Sequence, residues 1–190
     1  MRSSALLGAA AFLLVSCGGA VVSESKWEAA QAEWSKPVNG LALSLQTAQD
    51  VYQPRTPLTL KVGFKNTMLK ARYLDTRGGY EGLSLVVIGP DGKEIEAGPG
   101  DESMSAAGDF VRLEAGRSVE LVVQGPATAN WSYKLAEPGS YTVYAVYHAE
   151  FSEQWNRESA AGGRFENQVL FTGTAESPEV SFEIQAPKKR

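Results

Sequence analysis

The chain contains one cysteine and one histidine, and these two side chains bound the chemistry open to it. Cys17 closes the run Leu14-Val15-Ser16-Cys17, directly after an apolar stretch that begins near Ala5. A lone thiol forms no intramolecular disulfide, even in an oxidising compartment. Its place behind small residues and a short apolar run is where a secreted chain is cut and attached, so cysteine catalysis is not expected. His148 is the only possible imidazole of a Ser-His-acid relay, with Glu150 two residues on and on the same side of a strand. No Gly-x-Ser-x-Gly elbow accompanies the pair, and the expected role of His148 is structural.

Metal and phosphate chemistry are equally unsupported. One histidine without a free thiol does not assemble a zinc site of the usual kind. Asp101, Glu102 and Asp109 share a loop, but their spacing matches no EF-hand, and solvated carboxylates are expected. No glycine loop suited to cradling phosphate occurs, and Asp91-Gly92 has the chemistry of a hairpin turn. The sequence therefore leads to no catalytic residue, no metal and no cofactor.

Recognition by loops is the chemistry that remains. One candidate loop is Thr67–Gly82, with Lys70, Arg72, Tyr73, Arg77 and Tyr80. The other is Phe151–Asn167, with Trp155, Arg157, Arg164 and Phe165. Aromatic side chains mixed with arginine have the composition of interface hot spots. In the competing reading, the aromatics fold back onto the body of the protein and the arginines are solvated.

The elements that must hold these loops read as strands. Leu41, Leu43 and Leu45 alternate with small or polar residues, as do Leu58, Leu60, Val62 and Phe64. The same period of two recurs in Leu83–Ile88, Ser118–Val123 and Val180–Ile184, the pattern of strands with one buried face. Tyr141–His148 is apolar on both faces and suits a central strand. Gln53-Pro54-Arg55, Gly89-Pro90-Asp91-Gly92, Ala115-Gly116 and Pro138-Gly139 supply turns. About seven short strands separated by such turns predict an all-β, immunoglobulin-like sandwich. A short helix is expected over Lys26–Ser35, with Trp27, Ala30 and Trp34 on one face and Pro37 ending it. That face either packs on the domain or sits at a lipid interface.

The expected organisation is a cleaved signal at 1–16, a tether with the short helix at 17–36, the sandwich at 37–186 and a basic tail at 187–190. The apolar run from Ala5 is shorter than the roughly 20 residues that a membrane-spanning helix needs. The formal charge is −4 over 190 residues, one unit more negative once Arg2 is removed. This mild acidity gives no reason to expect nucleic acid as a partner.

Two resemblances add to this reading. Leu14-Val15-Ser16-Cys17 resembles the lipobox of bacterial lipoproteins. It implies transfer of a diacylglyceryl group to the Cys17 sulfur, cleavage before Cys17 and a membrane-held protein of the cell envelope. Gly18 in place of Asp leans toward the outer rather than the inner membrane. Separately, Val51-Tyr52-Gln53-Pro54, Leu58–Asn66, Gly89–Glu94, Leu113–Gly116, Glu137–Val143 and Thr172–Pro178 are similar to bacterial immunoglobulin-like modules, including proteinase-inhibitor-like domains of the BsuPI type. The sandwich pattern, the anchor, the aromatic–arginine loops and the lack of catalytic equipment lead to the expectation of a lipid-anchored, non-enzymatic module that binds an envelope protein. The alternatives are a proteinase inhibitor, or a carbohydrate-binding module stacking sugars on Tyr73, Tyr80 or Trp155.

Overall fold

The computed structural model describes residues 32–54, 56, 58–75, 82–95, 110–124, 135, 137–150 and 153–186. The signal, Cys17, Trp27, Arg77, Tyr80, Asp101, Glu102, Asp109 and the basic tail fall outside them. The described residues form an all-β sandwich of eleven strands. These are β1 (Leu41–Thr47), β2 (Val51–Tyr52), β3 (Thr59–Asn66), β4 (Arg72–Asp75), β5 (Leu83–Ile88), β6 (Glu94–Ile95), β7 (Phe110–Leu113), β8 (Ser118–Gln124), β9 (Gly139–Ala149), β10 (Gly173–Glu176) and β11 (Val180–Ile184). One short helix, α1 (Glu153–Ser159), lies between β9 and β10.

Of the longer strands, β1, β3, β5, β8 and β11 coincide with period-two segments of the sequence, and β9 with the segment that is apolar on both faces. The extra strands, β2, β4, β6, β7 and β10, are only two to four residues long. That is too short for alternation to register as a pattern.

One sheet has the order β1-β3-β8, and the other β2-β11-β9-β5-β6, with β10 also on β9. In immunoglobulin lettering this is A-B-E facing G-F-C-C′. The strand that chain order puts in the D position, β7, leaves the sandwich sheet and pairs with β4 in a separate ribbon. Strand β9 is the long central strand: β5 lies along one edge, and β11 and β10 follow one another along the other. Ser177 fills the break between them. Its amide donates to Ala145 O at 2.9 Å, and its hydroxyl oxygen accepts from Ala145 N at 2.9 Å.

The core is the set of inward alternating residues. Leu41, Leu43, Leu45, Leu60, Val62 and Phe64 meet Leu83, Val87, Val143, Tyr147, Phe182 and Ile184. No cysteine pair links the sheets. Aromatic contacts cross the space instead, with Phe64 edge-on to Tyr147 at 5.4 Å between centroids. Tyr141 donates its hydroxyl to Glu137 O at 2.7 Å, the contact of a tyrosine corner at the start of the central strand. Burial pushes the phenol pKa of Tyr141 upward, and that of Tyr52 as well.

The expected helix over Lys26–Ser35 does not extend through its last residues: 32–37 are not helical. The segment runs beside β1. Ser35 N donates to Leu43 O at 2.8 Å, and the Ser35 hydroxyl oxygen accepts from Leu43 N at 3.0 Å. A tight turn returns the chain at Asn39-Gly40, where φ is +45° and +79°. Positive φ at both central positions is the type I′ turn that matches strand twist, and Val38 pairs with Leu41 across it. Trp34 is thereby laid on the outer face of the sheet. Its ring covers Gly63, where an added Cβ would stand 2.9 Å from it, and Lys65 Nζ sits 5.4 Å from the ring centroid. For Trp34, the domain-packing alternative is the one observed. Sheet pairing outweighs a helical propensity that a short segment ahead of Pro37 cannot sustain.

Candidate functional site

The two candidate loops are partly regular structure, and they meet. The β4–β7 ribbon has Leu74 and Leu113 on the face that enters the main core, and Tyr73 and Phe110 on the other. Tyr73 N donates to Val169 O at 2.9 Å, and Tyr73 O accepts from Phe171 N at 2.8 Å. The segment at 169–171 is thus drawn alongside β4. Around Tyr73 and Phe110 gather Trp155 from α1, Phe165 and Leu170. Trp155 and Phe165 stack at 4.7 Å, and Phe110 meets each of them edge-on.

Among the sequence-derived binding candidates, the aromatics therefore turn inward. Trp155 is 2% exposed and Phe165 3%, so neither presents a ring to a partner in this conformation, and Tyr73 is half-buried. Such a satellite core forms because α1 is too short to be stable alone and must bury its one large apolar side chain. The turn after α1 allows the stack. Phe165 N donates to Glu158 O at 2.8 Å, and a Cβ on Gly163 would strike the Glu158 carbonyl. Arg164 is exposed and lays its guanidinium 4.8 Å from the Phe165 ring centroid. Arg157 is exposed in the last turn of α1, where a cation complements the helix dipole. Arg72 is half-buried at the ribbon margin, beside Met68 and Gly40.

The exposed feature is next to Arg72, at the tip that follows β3. Asn66 is 1% exposed and brackets that tip from beneath. Its Oδ1 accepts from Met68 N at 2.9 Å, and its Nδ2 donates to Lys70 O at 2.8 Å and Leu113 O at 3.0 Å. Thr67 N donates to Gly40 O at 2.8 Å, tying the tip to the β1 turn. Asn39 Nδ2 in turn donates to Thr172 O at 2.9 Å. On this clamped backbone Leu69 is 97% exposed, with Met68, Val38 and Val169 among the other exposed large apolar side chains. Met68, Leu69, Ala71 and Val169 line a shallow depression shared with Lys70 and Arg72. One exposed leucine is ordinary, whereas several apolar side chains grouped beside cations form a candidate contact surface. In the sequence Met68 and Leu69 are two large apolar residues inside a loop, a weaker signal than the aromatic and arginine content of the same loops.

His148 has partners at both ring nitrogens. Nδ1 is 2.7 Å from Thr174 Oγ1 on β10, and Nε2 is 3.2 Å from Glu150 Oε1. This hydroxyl–imidazole–carboxylate chain sits on the solvent-facing side of the sheet, with the histidine side chain 54% exposed. Water there screens the charges and solvates the hydroxyl, the opposite of the enclosed, preorganised setting that makes such a relay reactive. Among the described residues, no three His, Cys, Asp or Glu side chains group as a metal site.

The Asn66 bracket has a measurable consequence. Asn66→Ala should destabilise the domain by about 2–4 kcal/mol, because it strands buried backbone groups. Denaturant unfolding measures this loss. Cleavage at Lys70 by trypsin should accelerate by more than the global loss explains, since the tip loses its support from both sides.

No protein-family model and no curated protein matches this chain. Among solved structures, a mutant (D270A) β-glucosidase from Listeria innocua in complex with laminaribiose is similar at a TM-score of 0.35 and 12% identity, over 76% of this chain. The match spans 16% of that protein's length. AvmM, described as catalysing macrocyclization in alchivemycin A biosynthesis, is similar at a TM-score of 0.38 and 11% identity, over 84% of this chain and 99% of that one. Likeness at this level carries no argument about the activity of the present chain.

Proposed function

We propose that this protein is a cell-envelope lipoprotein, held to the membrane through a lipid on Cys17, whose sandwich is a non-enzymatic module that binds another envelope protein. The contact surface in this reading is the Met68-Leu69-Lys70 tip with Arg72, in place of the Trp155 loop. The observation that carries it is Leu69, 97% exposed on a backbone that Asn66 holds from both sides. A loop already fixed in one conformation loses little entropy on binding. Burying a leucine and a methionine contributes roughly 1.5–3 kcal/mol each. The two adjacent cations favour an acidic partner surface and faster association. No described helix is long and apolar enough to cross a membrane.

A second reading, proteinase inhibition, draws on the same bracket. A rigid, protruding segment with Leu69 and Lys70 outermost can enter a protease cleft and resist release after cutting. A sugar-binding role for Trp155 gains nothing from the fold, since its indole has no open face, and Tyr73 is half-buried.

Three outcomes are expected. Leu69→Asp with Lys70→Glu should reduce partner recovery from envelope extract at least about tenfold while leaving the melting temperature unchanged, because both side chains are solvated. Undiminished recovery would remove the tip from the proposal. Cys17→Ser should move the protein from the membrane fraction to the soluble one, and mass spectrometry of the mature N-terminus should find diacylglyceryl-modified Cys17; an unmodified thiol would end the anchoring claim. Against a panel of serine and cysteine proteases, excess protein should leave hydrolysis unaffected. Tight inhibition lost in the Leu69→Asp and Lys70→Glu variant would instead establish the second reading.

A further inference from the structure

Methionine occurs at positions 1, 68 and 104, and of these Met68 lies among the described residues. It is 43% exposed and lines the depression at the tip with Leu69, Ala71 and Val169. A thioether in contact with water is open to two-electron oxidation.

The backbone holds Met68 at the surface. Its amide donates to Asn66 Oδ1 at 2.9 Å. Its neighbours are tied down on both sides, by Thr67 N on Gly40 O at 2.8 Å and by Asn66 Nδ2 on Lys70 O at 2.8 Å. The side chain lies across Gly40. A Cβ on that glycine would stand 2.6 Å from the Met68 sulfur and 3.6 Å from Arg72 Nε. Sulfur and guanidinium therefore share the small space above Gly40. The φ of +79° there favours glycine on conformational grounds, which keeps that space open.

We infer that Met68 is a reversible oxidation site that switches the tip between an apolar and a polar contact surface. The inference rests on the tip being the contact surface. The co-reactant is a peroxide. The thioether sulfur attacks one peroxide oxygen, and the O–O bond breaks as the S–O bond forms. The sulfur gives up two electrons. The second oxygen leaves as hydroxide and becomes water by taking the proton of the first. Two thiols reverse the step: the sulfoxide oxygen departs as water, and the thiols are oxidised to a disulfide.

The sulfoxide forms beside the N–H groups of Arg72, which can donate to its oxygen. Covering Met68 with a partner then costs the desolvation of a polar group in place of gaining apolar burial. Arg72 is also drawn from an acidic partner toward the new acceptor. Both changes weaken binding. Met68 belongs to neither buried cluster, so the fold persists in both states.

The test uses the full chain, purified in detergent and treated with dilute hydrogen peroxide that is removed before any partner is added. Trypsin cutting after Lys65 and Lys70 releases Asn66–Lys70, so mass spectrometry reads Met68 apart from Met1 and Met104. Met68 should gain one oxygen in the folded chain at a rate within about threefold of that in urea, as its exposure dictates. The melting temperature should stay unchanged. Partner recovery from envelope extract should fall roughly tenfold, and a thiol-driven methionine sulfoxide reductase should restore it. Met68→Leu should bind as the parent does and keep its binding after peroxide, while Met68→Gln should bind weakly with no oxidant. Protection of Met68 by folding of more than about tenfold would overturn the inference. So would undiminished recovery of the oxidised chain while Leu69→Asp with Lys70→Glu loses its partner, an outcome that leaves the tip as the contact surface. Equal recovery of all these variants would remove the tip itself, and the inference with it.

Discussion

The structure depends on Tyr147. Its side chain is fully buried on the central strand, edge-on to Phe64 of the opposing sheet and stacked 5.7 Å from Phe171. Its hydroxyl donates to Asp75 O at 2.9 Å, at the end of β4. One residue thus touches both sheets, the ribbon and the segment returning from the satellite core. A sandwich with no disulfide needs such a link. A large aromatic supplies much of the inter-sheet contact area, and its one polar atom is satisfied by the Asp75 carbonyl.

From that centre the exposed tip follows. Tyr147 and Leu74 fix the ribbon, the ribbon presents Leu113 O, and Leu113 O is one of the groups that Asn66 holds. Asn66 then fixes Met68 N and Lys70 O. The exposed Leu69 is therefore connected to the core by a short chain of buried polar and apolar contacts. Buried amide networks of this kind are costly when incomplete and specify one conformation when complete. A water-facing apolar side chain gains nothing for the isolated domain, so the rigidity beneath it is what supports a role in recognition.

The ribbon also explains the place of β8. Pairing β7 with β4 lets the satellite core form around Tyr73, Phe110, Trp155 and Phe165. The same choice withholds β7 from β8. Among the described residues, closing one hydrophobic cluster thus leaves β8 at the rim of its sheet.

The sequence by itself determined the class of fold and the place of each long strand, because side chains alternate with period two wherever one face of a strand is buried. It determined the absence of an intramolecular disulfide, since there is one cysteine, and it marked Asp91-Gly92 as chemistry for a turn. Tertiary structure decided what the loop residues do. Trp155 and Phe165 have the composition of a binding surface, yet burial of a large aromatic stabilises the fold by several kcal/mol, and a nearby apolar ribbon was available to receive them. Trp34 likewise packs its ring on the outer face of a sheet, since Ser35 found backbone partners on β1. Leu69 stayed in water because Asn66, far from Leu113 in sequence but beside it in space, holds the backbone that carries it. Long-range contacts of that kind leave no periodic trace in a chain, which is why the surface was the part the sequence did not display.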